Sequence, residues 1–187
     1  MSLAITIIAV GSRGDVQPYV ALGVGLQQAG YTVGVLTSPD FRLLVTEHGL
    51  AFHDMGGNMQ AVAQGMQHLL EQGNFLKILA SMQSAAGDMA KQAMQHGLAA
   101  CQGSHLIISG LGGLFVGLAL AEKLDIPLLK AYLYPFTPTV EFPGVLTPLP
   151  QTRLTSWANP LSHRLAQQMM WQATRMADNQ ARRQVLV

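Results

Sequence analysis

Residues 4–15 read Ala4-Ile5-Thr6-Ile7-Ile8-Ala9-Val10-Gly11-Ser12-Arg13-Gly14-Asp15. Ala4 to Val10 is an apolar run with no alternation, the pattern of a parallel strand buried on both faces. The glycine-rich turn that follows leads into Pro18 to Ala29, where Tyr19, Leu22, Val24 and Leu26 recur at helical spacing and Gly30 supplies the stop. Tyr31 to Thr37 reads as a second strand. Ser38 or Asp40 can cap a helix carrying Phe41, Leu44 and Val45, and His48-Gly49 closes it. Leu50 to Met55 is a third strand. A βαβαβ unit with short connections and right-handed crossovers gives a parallel sheet with helices on both faces, an α/β Rossmann-like domain.

The rest of the chain extends that unit. Asn58 to Leu70 and Asn74 to Ala100 have helical patterns, Leu106 to Ser109 reads as a strand, Leu114 to Leu124 as a helix and Pro127 to Leu133 as a strand. A loop dense in proline follows, with Pro135, Pro138, Pro143, Pro148 and Pro150. Structureless loops of about twenty residues are functional or disordered far more often than incidental. Asn159 to Val187 is helical, with Leu161, Leu165, Met169 and Met176 as its apolar positions and no Gly or Pro stop.

Composition narrows the function. The 187 residues suffice for one α/β domain with a core. Only 11% are charged and 49% are hydrophobic, against about 25% charged in an ordinary soluble domain. No uncharged apolar stretch reaches the ~20 residues of a spanning helix. A partner domain, or an apolar ligand cleft, therefore accounts better for the charge-poor surface than membrane insertion does. A net charge of +1 with scattered Lys and Arg makes no stripe for nucleic acid. One cysteine, Cys101, and no secretory pattern fit a reducing, cytoplasmic setting. The histidines fall at no metal-ligand spacing.

The loop Gly11 to Asp15 carries the chemistry. In open α/β sheets ligands bind at the carboxyl ends of strands. Glycine lets a ligand approach the backbone, and a helix N-terminus offers free N–H groups to anions. Gly11, Ser12, Arg13 and Gly14 are thus candidate contacts for a phosphate-bearing donor. The spacing is neither G-x-G-x-x-G nor a P-loop, so the glycine fingerprint of a dinucleotide-binding oxidoreductase is missing. Asp15 has two readings on position alone: a general base, or a helix cap paired with Ser12.

Gly11-Ser12-Arg13-Gly14-Asp15-Val16-Gln17-Pro18-Tyr19-Val20-Ala21-Leu22-Gly23 closely resembles the opening of sterol glucosyltransferases and of antibiotic glycosyltransferases, the family 28 N-terminal type. Tyr31-Thr32-Val33, Gly49-Leu50 and Tyr134-Pro135-Phe136-Thr137-Pro138-Thr139-Val140-Glu141-Phe142-Pro143 continue the likeness, as do Asn179, Arg182 and Leu186. The resemblance implies a GT-B fold in which residues 1–187 form the N-terminal acceptor-binding domain. A second, nucleotide-sugar domain with a His-Gly-Gly segment is absent from this chain. It further implies inverting transfer from a UDP- or TDP-sugar to a hydroxyl of a lipophilic acceptor such as a sterol or polyketide. No metal or other cofactor is implied, and Asp15 would be the base. Peripheral contact with a membrane is compatible with such an acceptor.

Acceptor contacts are expected from Gly112 and Gly113 after the fourth strand, from Phe136, Thr137 and Glu141 on the proline-rich loop, and from Met82 and Met89. Methionine makes adaptable apolar walls, although core filling explains the methionines Met55, Met59, Met66, Met82, Met89 and Met94 equally simply. His53 and His105 read as packed, hydrogen-bonded residues. The competing reading of the whole chain is a non-catalytic Rossmann-like module that holds an apolar small molecule.

Overall fold

A computed structural model describes residues 2–56, 75–144 and 157–186. The helix expected over Asn58 to Leu70, with Met59 and Met66, and the prolines Pro148 and Pro150 lie outside the described residues. The chain divides into two compact units, Met1–Ala131 with Ala177–Val187, and Tyr132–Met176.

The first unit is an open, wholly parallel sheet. Its strands are β1 (Ala4–Ile8), β2 (Thr32–Thr37), β3 (Ala51–Asp54), β4 (Leu106–Ser109) and β5 (Leu128–Lys130), in the order β3-β2-β1-β4-β5. Ile7 pairs with Val35 on one side and with Ile108 on the other, so β1 is the central strand. The helices are α1 (Arg13–Gln28), α2 (Arg42–Thr46), α3 (Phe75–Cys101), α4 (Leu114–Leu124) and the end of α5 (Asn159–Val185). Successive β1 side chains point to opposite faces. Ile5 and Ile7 pack with Val16, Tyr19 and Val20 of α1 and with Val45 of α2. Ile8 packs on the other face with Met94 and Cys101 of α3, Leu120 of α4 and Ala181 and Leu186 near the chain's end. Each face holds its own buried cluster, which is why the strand carried no polar alternation.

Three boundaries differ from the sequence reading. Helix α1 starts at Arg13 and not at Pro18, with Ser12 as its N-cap and Pro18 inside it. Capping of the first turn by Ser12 and Asp15 starts the helix early, at the cost of the one bond Pro18 cannot donate. Strand β1 stops at Ile8. The strand expected over Pro127 to Leu133 is only Leu128–Lys130. Ala131 still donates its N–H to Ser109, but its carbonyl accepts the Tyr19 hydroxyl and not a strand neighbour.

The second unit has no sheet among its described residues. It consists of the loop 132–144 and helix α5 up to Met176. The expected apolar positions of α5 are not its packing face: Leu161, Leu165, Met169 and Met176 are all at least half exposed. Asn159, Ser162, His163 and Ala166 are buried instead. The physical reason lies in the loop, whose backbone groups need partners once covered. Asn159 donates to the Val140 carbonyl (2.7 Å), Gln167 to the Phe136 carbonyl (3.0 Å), and Ser162 Oγ accepts the Gly144 N–H (2.7 Å). His163 Nε2 bonds the Phe142 carbonyl at 3.1 Å while its ring meets the Phe142 ring edge to face.

Candidate functional site at the carboxyl edge of the sheet

The first unit brings two loops to the carboxyl ends of the neighbouring strands β1 and β4. Between these strands the order of the sheet reverses, which in open α/β sheets opens a ligand crevice.

After β1, Gly11 takes a φ of +140°, a conformation closed to most L residues. A Cβ on Gly11 would stand 2.7 Å from the Asp15 Cγ, so glycine also makes room for that carboxyl group. Ser12 follows in extended conformation as the N-cap of α1. Asp15 Oδ2 accepts both the Ser12 N–H and the Ser12 hydroxyl, each at 2.8 Å. Asp15 is half-buried, while Gly11, Ser12, Arg13 and Gly14 are exposed around it. Val16 and Tyr19, the next inward positions of α1, are fully packed and fix the first turn to the sheet. Arg13 is turned along the helix, its Nε donating to Gln17 Oε1 at 3.3 Å.

After β4 the residues Gly110 to Gly113 pack against the end of β1. A Cβ on Gly112 would stand 3.1 Å from the Val10 carbonyl carbon and closer still to its oxygen. One on Gly113 would meet Ile8 Cγ2 at 2.6 Å, and one on Gly110 would meet Tyr19 Cζ at 2.7 Å. These glycines are thus required by close approach, Gly112 to the Val10 backbone, Gly113 to the Ile8 side chain and Gly110 to the Tyr19 ring, whatever else they touch. Gly113 caps α4 and offers no side-chain oxygen to its first N–H groups. A carboxylate and two helix N-termini therefore share this edge, a combination suited to taking a proton and to meeting negative charge.

The remaining candidates are placed as follows. Met89 is half-buried on α3, and the side chain of Met82 lies outside the described residues. Met55 and Met94 are core residues. Phe136, Thr137 and Glu141 belong to the second unit. The Phe136 ring is buried there and meets Tyr132 edge to face at 5.5 Å, whereas Thr137 and Glu141 are exposed. His105 Nδ1 accepts the Ala4 N–H at 3.1 Å, the hydrogen bond expected of it, but the residue is exposed and not packed as the sequence suggested. His53 fills the space over Gly34, and burial holds its imidazole below the usual range. Burial also raises the Cys101 thiol to about 11, which keeps it an inert core residue. The sequence reading missed Ser109, which is wholly buried under Gly113 and Gly117, and the Tyr19 hydroxyl bond that ties α1 to the strand end at Ala131. Only the pairing of strands reveals either.

The fold defines an α/β domain of the doubly wound type. The model of the glycosyltransferase family 28 N-terminal domain matches residues 5–143, and the chain belongs to that family. It is 31% identical over 186 residues to a sterol 3-beta-glucosyltransferase of Debaryomyces hansenii, with 99% of this chain and 12% of that protein covered. A sterol 3-beta-glucosyltransferase of Cryptococcus neoformans var. neoformans serotype D is 33% identical over 189 residues, covering 98% of this chain and 11% of its own length. The chain thus spans only about an eighth of the curated relatives it matches. Among solved structures, the glycosyltransferase SsfS6 of Streptomyces sp. SF2575 superposes with a TM-score of 0.51 at 25% identity, covering 70% of this chain and 39% of that one. The calicheamicin glycosyltransferase CalG4 shares the fold at a TM-score of 0.55 and 13% identity, over 93% of this chain and 41% of its own.

Proposed function

We propose that this chain is the acceptor-binding half of an inverting, cytoplasmic glycosyltransferase that moves a sugar from a UDP- or TDP-sugar to a hydroxyl of a lipophilic acceptor, a sterol or polyketide alcohol. The observation that carries the reading is the Asp15 carboxylate, held by Ser12 at the carboxyl end of β1 in a family 28 domain. Ser12 occupies Oδ2. Among the described residues no donor is bonded to Oδ1, which leaves that oxygen for the acceptor hydroxyl. As the hydroxyl oxygen forms its bond to sugar C1, Asp15 takes the proton, C1 acquires oxocarbenium character, and the nucleoside diphosphate leaves with the electrons of the broken C1–O bond. Attack opposite the leaving group inverts C1. The exposed residues Gly11, Ser12, Arg13 and Gly14 face the donor's sugar-phosphate end, with the Ser12 N–H kept by Asp15, and a second domain meets most of the diphosphate charge. Gly112 and Gly113, together with Phe136, Thr137, Glu141, Met82 and Met89, are the proposed acceptor contacts. No cofactor beyond the nucleotide sugar enters this scheme. Since much of the rate comes from holding two substrates in line, one half alone is inactive.

The two Ser12 bonds are also what a helix cap makes, and this favours the second reading, a binding module in which Asp15 serves only α1. The full-length protein carrying Asp15→Asn separates them. The amide keeps an oxygen for Ser12 but cannot take a proton, so turnover should fall about 10²–10⁴-fold while the thermal midpoint moves little. Near-normal turnover would end the base assignment.

A further inference from the structure

Helix α1 carries Asp15 in its first turn, and Tyr19 stands four residues further on, one turn along the same side of the helix. Tyr19 is only 3% exposed and packs between α1 and the sheet. Its hydroxyl donates to the carbonyl of Ala131, 112 residues away in the chain. Ala131 lies just past the end of β5, and its own N–H donates to the Ser109 carbonyl at 3.0 Å. The Tyr19 ring also closes over Gly110, where a Cβ would stand 2.7 Å from its Cζ and 2.9 Å from its Cε2. Gly110 opens the loop that contains Gly112 and Gly113, and its N–H donates to the Ile8 carbonyl at 3.4 Å. One side chain, rooted a turn from the carboxylate, thus meets the segments that leave β4 and β5.

We propose that Tyr19 is a positioning residue that sets the Asp15 carboxylate against the loop Gly110 to Gly113. The proposal rests on the reading of Asp15 as the base and of Gly112 and Gly113 as acceptor contacts. A phenylalanine would fill the volume of the ring as well, so packing does not account for the hydroxyl. The hydroxyl satisfies a partly buried carbonyl beyond the end of β5. It also gives the contact a direction and a length. Val16 and Val20 press α1 onto the sheet, but apolar contact is non-directional and allows a helix to slide. With its tip bonded to Ala131, Tyr19 resists that slide. The two bonds from Ser12 to Asp15 Oδ2 do not, because they lie within one turn and move with the helix. Proton transfer needs the acceptor hydroxyl within hydrogen-bond reach of the carboxylate. A bulky acceptor seated on the loop cannot follow a displaced Asp15, whereas a water molecule can.

The test uses the full-length protein with UDP-glucose and ergosterol. Two rates are measured: glucoside formation, and hydrolysis of UDP-glucose without the sterol. Tyr19→Phe keeps the ring and removes the bond to Ala131. It should lower kcat for transfer about tenfold, while the KM for UDP-glucose and the hydrolysis rate stay as they were. A tyrosine that only stabilises the fold would lower both rates together, through the fraction of folded protein. That result, or unchanged transfer, would overturn the proposal. Amide hydrogen exchange gives a second measurement that needs no substrate. In Tyr19→Phe exchange should quicken at Asp15, Gly110 and Ala131 and stay unchanged at Val35 and Leu36 of β2. Equal protection at Gly110 and Ala131 in the two proteins would also overturn it. Asp15→Asn should lower transfer and hydrolysis alike. Failure of the base reading therefore shows in Asp15→Asn, and failure of the positioning role in Tyr19→Phe.

Discussion

The two units hold their loops by different means. In the first, Gly11, Gly112 and Gly113 are set by close approach: a single Cβ would collide with the Asp15 side chain, the Val10 carbonyl or the Ile8 side chain. In the second, the loop 136–144 is held by side chains reaching from one helix to loop carbonyls and an N–H. The first arrangement tolerates almost no added volume. The second depends on a few donors and acceptors whose loss is local. A site for chemistry needs its groups fixed to fractions of an ångström, and the first arrangement provides that.

The largest effect should come from adding volume to the tight edge. Gly112→Ala places a Cβ against the Val10 carbonyl, where backbone cannot move aside, and should cost about 3 kcal/mol in chemical denaturation. Gly87→Ala on α3 is the matched control. Its Cβ would meet nothing within 4 Å, so it should gain about 0.5–1 kcal/mol from helix propensity. Equal outcomes for the two would show that close approach does not hold this edge of the first unit.

An intermediate effect is expected in the second unit. His163→Ala removes a buried ring and its bond to Phe142, and should cost about 2 kcal/mol. Amide hydrogen exchange should quicken over 136–144 and stay unchanged in β1, β2 and β4. Loss of protection spreading through the sheet would show that the units do not unfold separately.

The smallest effect concerns pH at the sheet's edge. Burial lowers the His53 imidazole below its ordinary range. As pH falls through about 6.5 the unfolded chain binds that proton first, so stability should decline from neutral pH toward pH 5.5 and be retained above. Denaturant midpoints for His53→Gln should show a shallower decline over the same window. An identical slope would assign the effect to other groups.

Much of the first unit was legible in the chain. The unalternating run Ala4 to Val10, the stop at Gly30 and the repeated strand–helix alternation sufficed for a parallel sheet covered on both faces. The carboxylate at the first strand end was legible as well, because Gly11, Ser12 and Asp15 lie within one turn of each other. Neither of its two meanings could be chosen, since a capping carboxylate and a catalytic one have the same local sequence. Helix α5 was legible as a helix, but its buried side was not. Its apolar positions at helical spacing imply a packing face, and propensity has no means of knowing that the loop opposite needs hydrogen-bond donors. The stripe Asn159, Ser162, His163, Ala166 and Gln167 has the same helical spacing and could have been noticed.

By itself, then, the sequence determined the elements, their parallel arrangement and the local pairing of Ser12 with Asp15, because these depend on side-chain periodicity and on contacts a few residues apart. Only the tertiary structure decided which glycines are there for close approach, which side of α5 is buried, and that β1 and β4 bring two helix N-termini to one edge. Those facts depend on groups about a hundred residues apart in the chain, such as Val10 with Gly112 and Tyr19 with Ala131, and no local pattern encodes which distant backbone will need room or a partner.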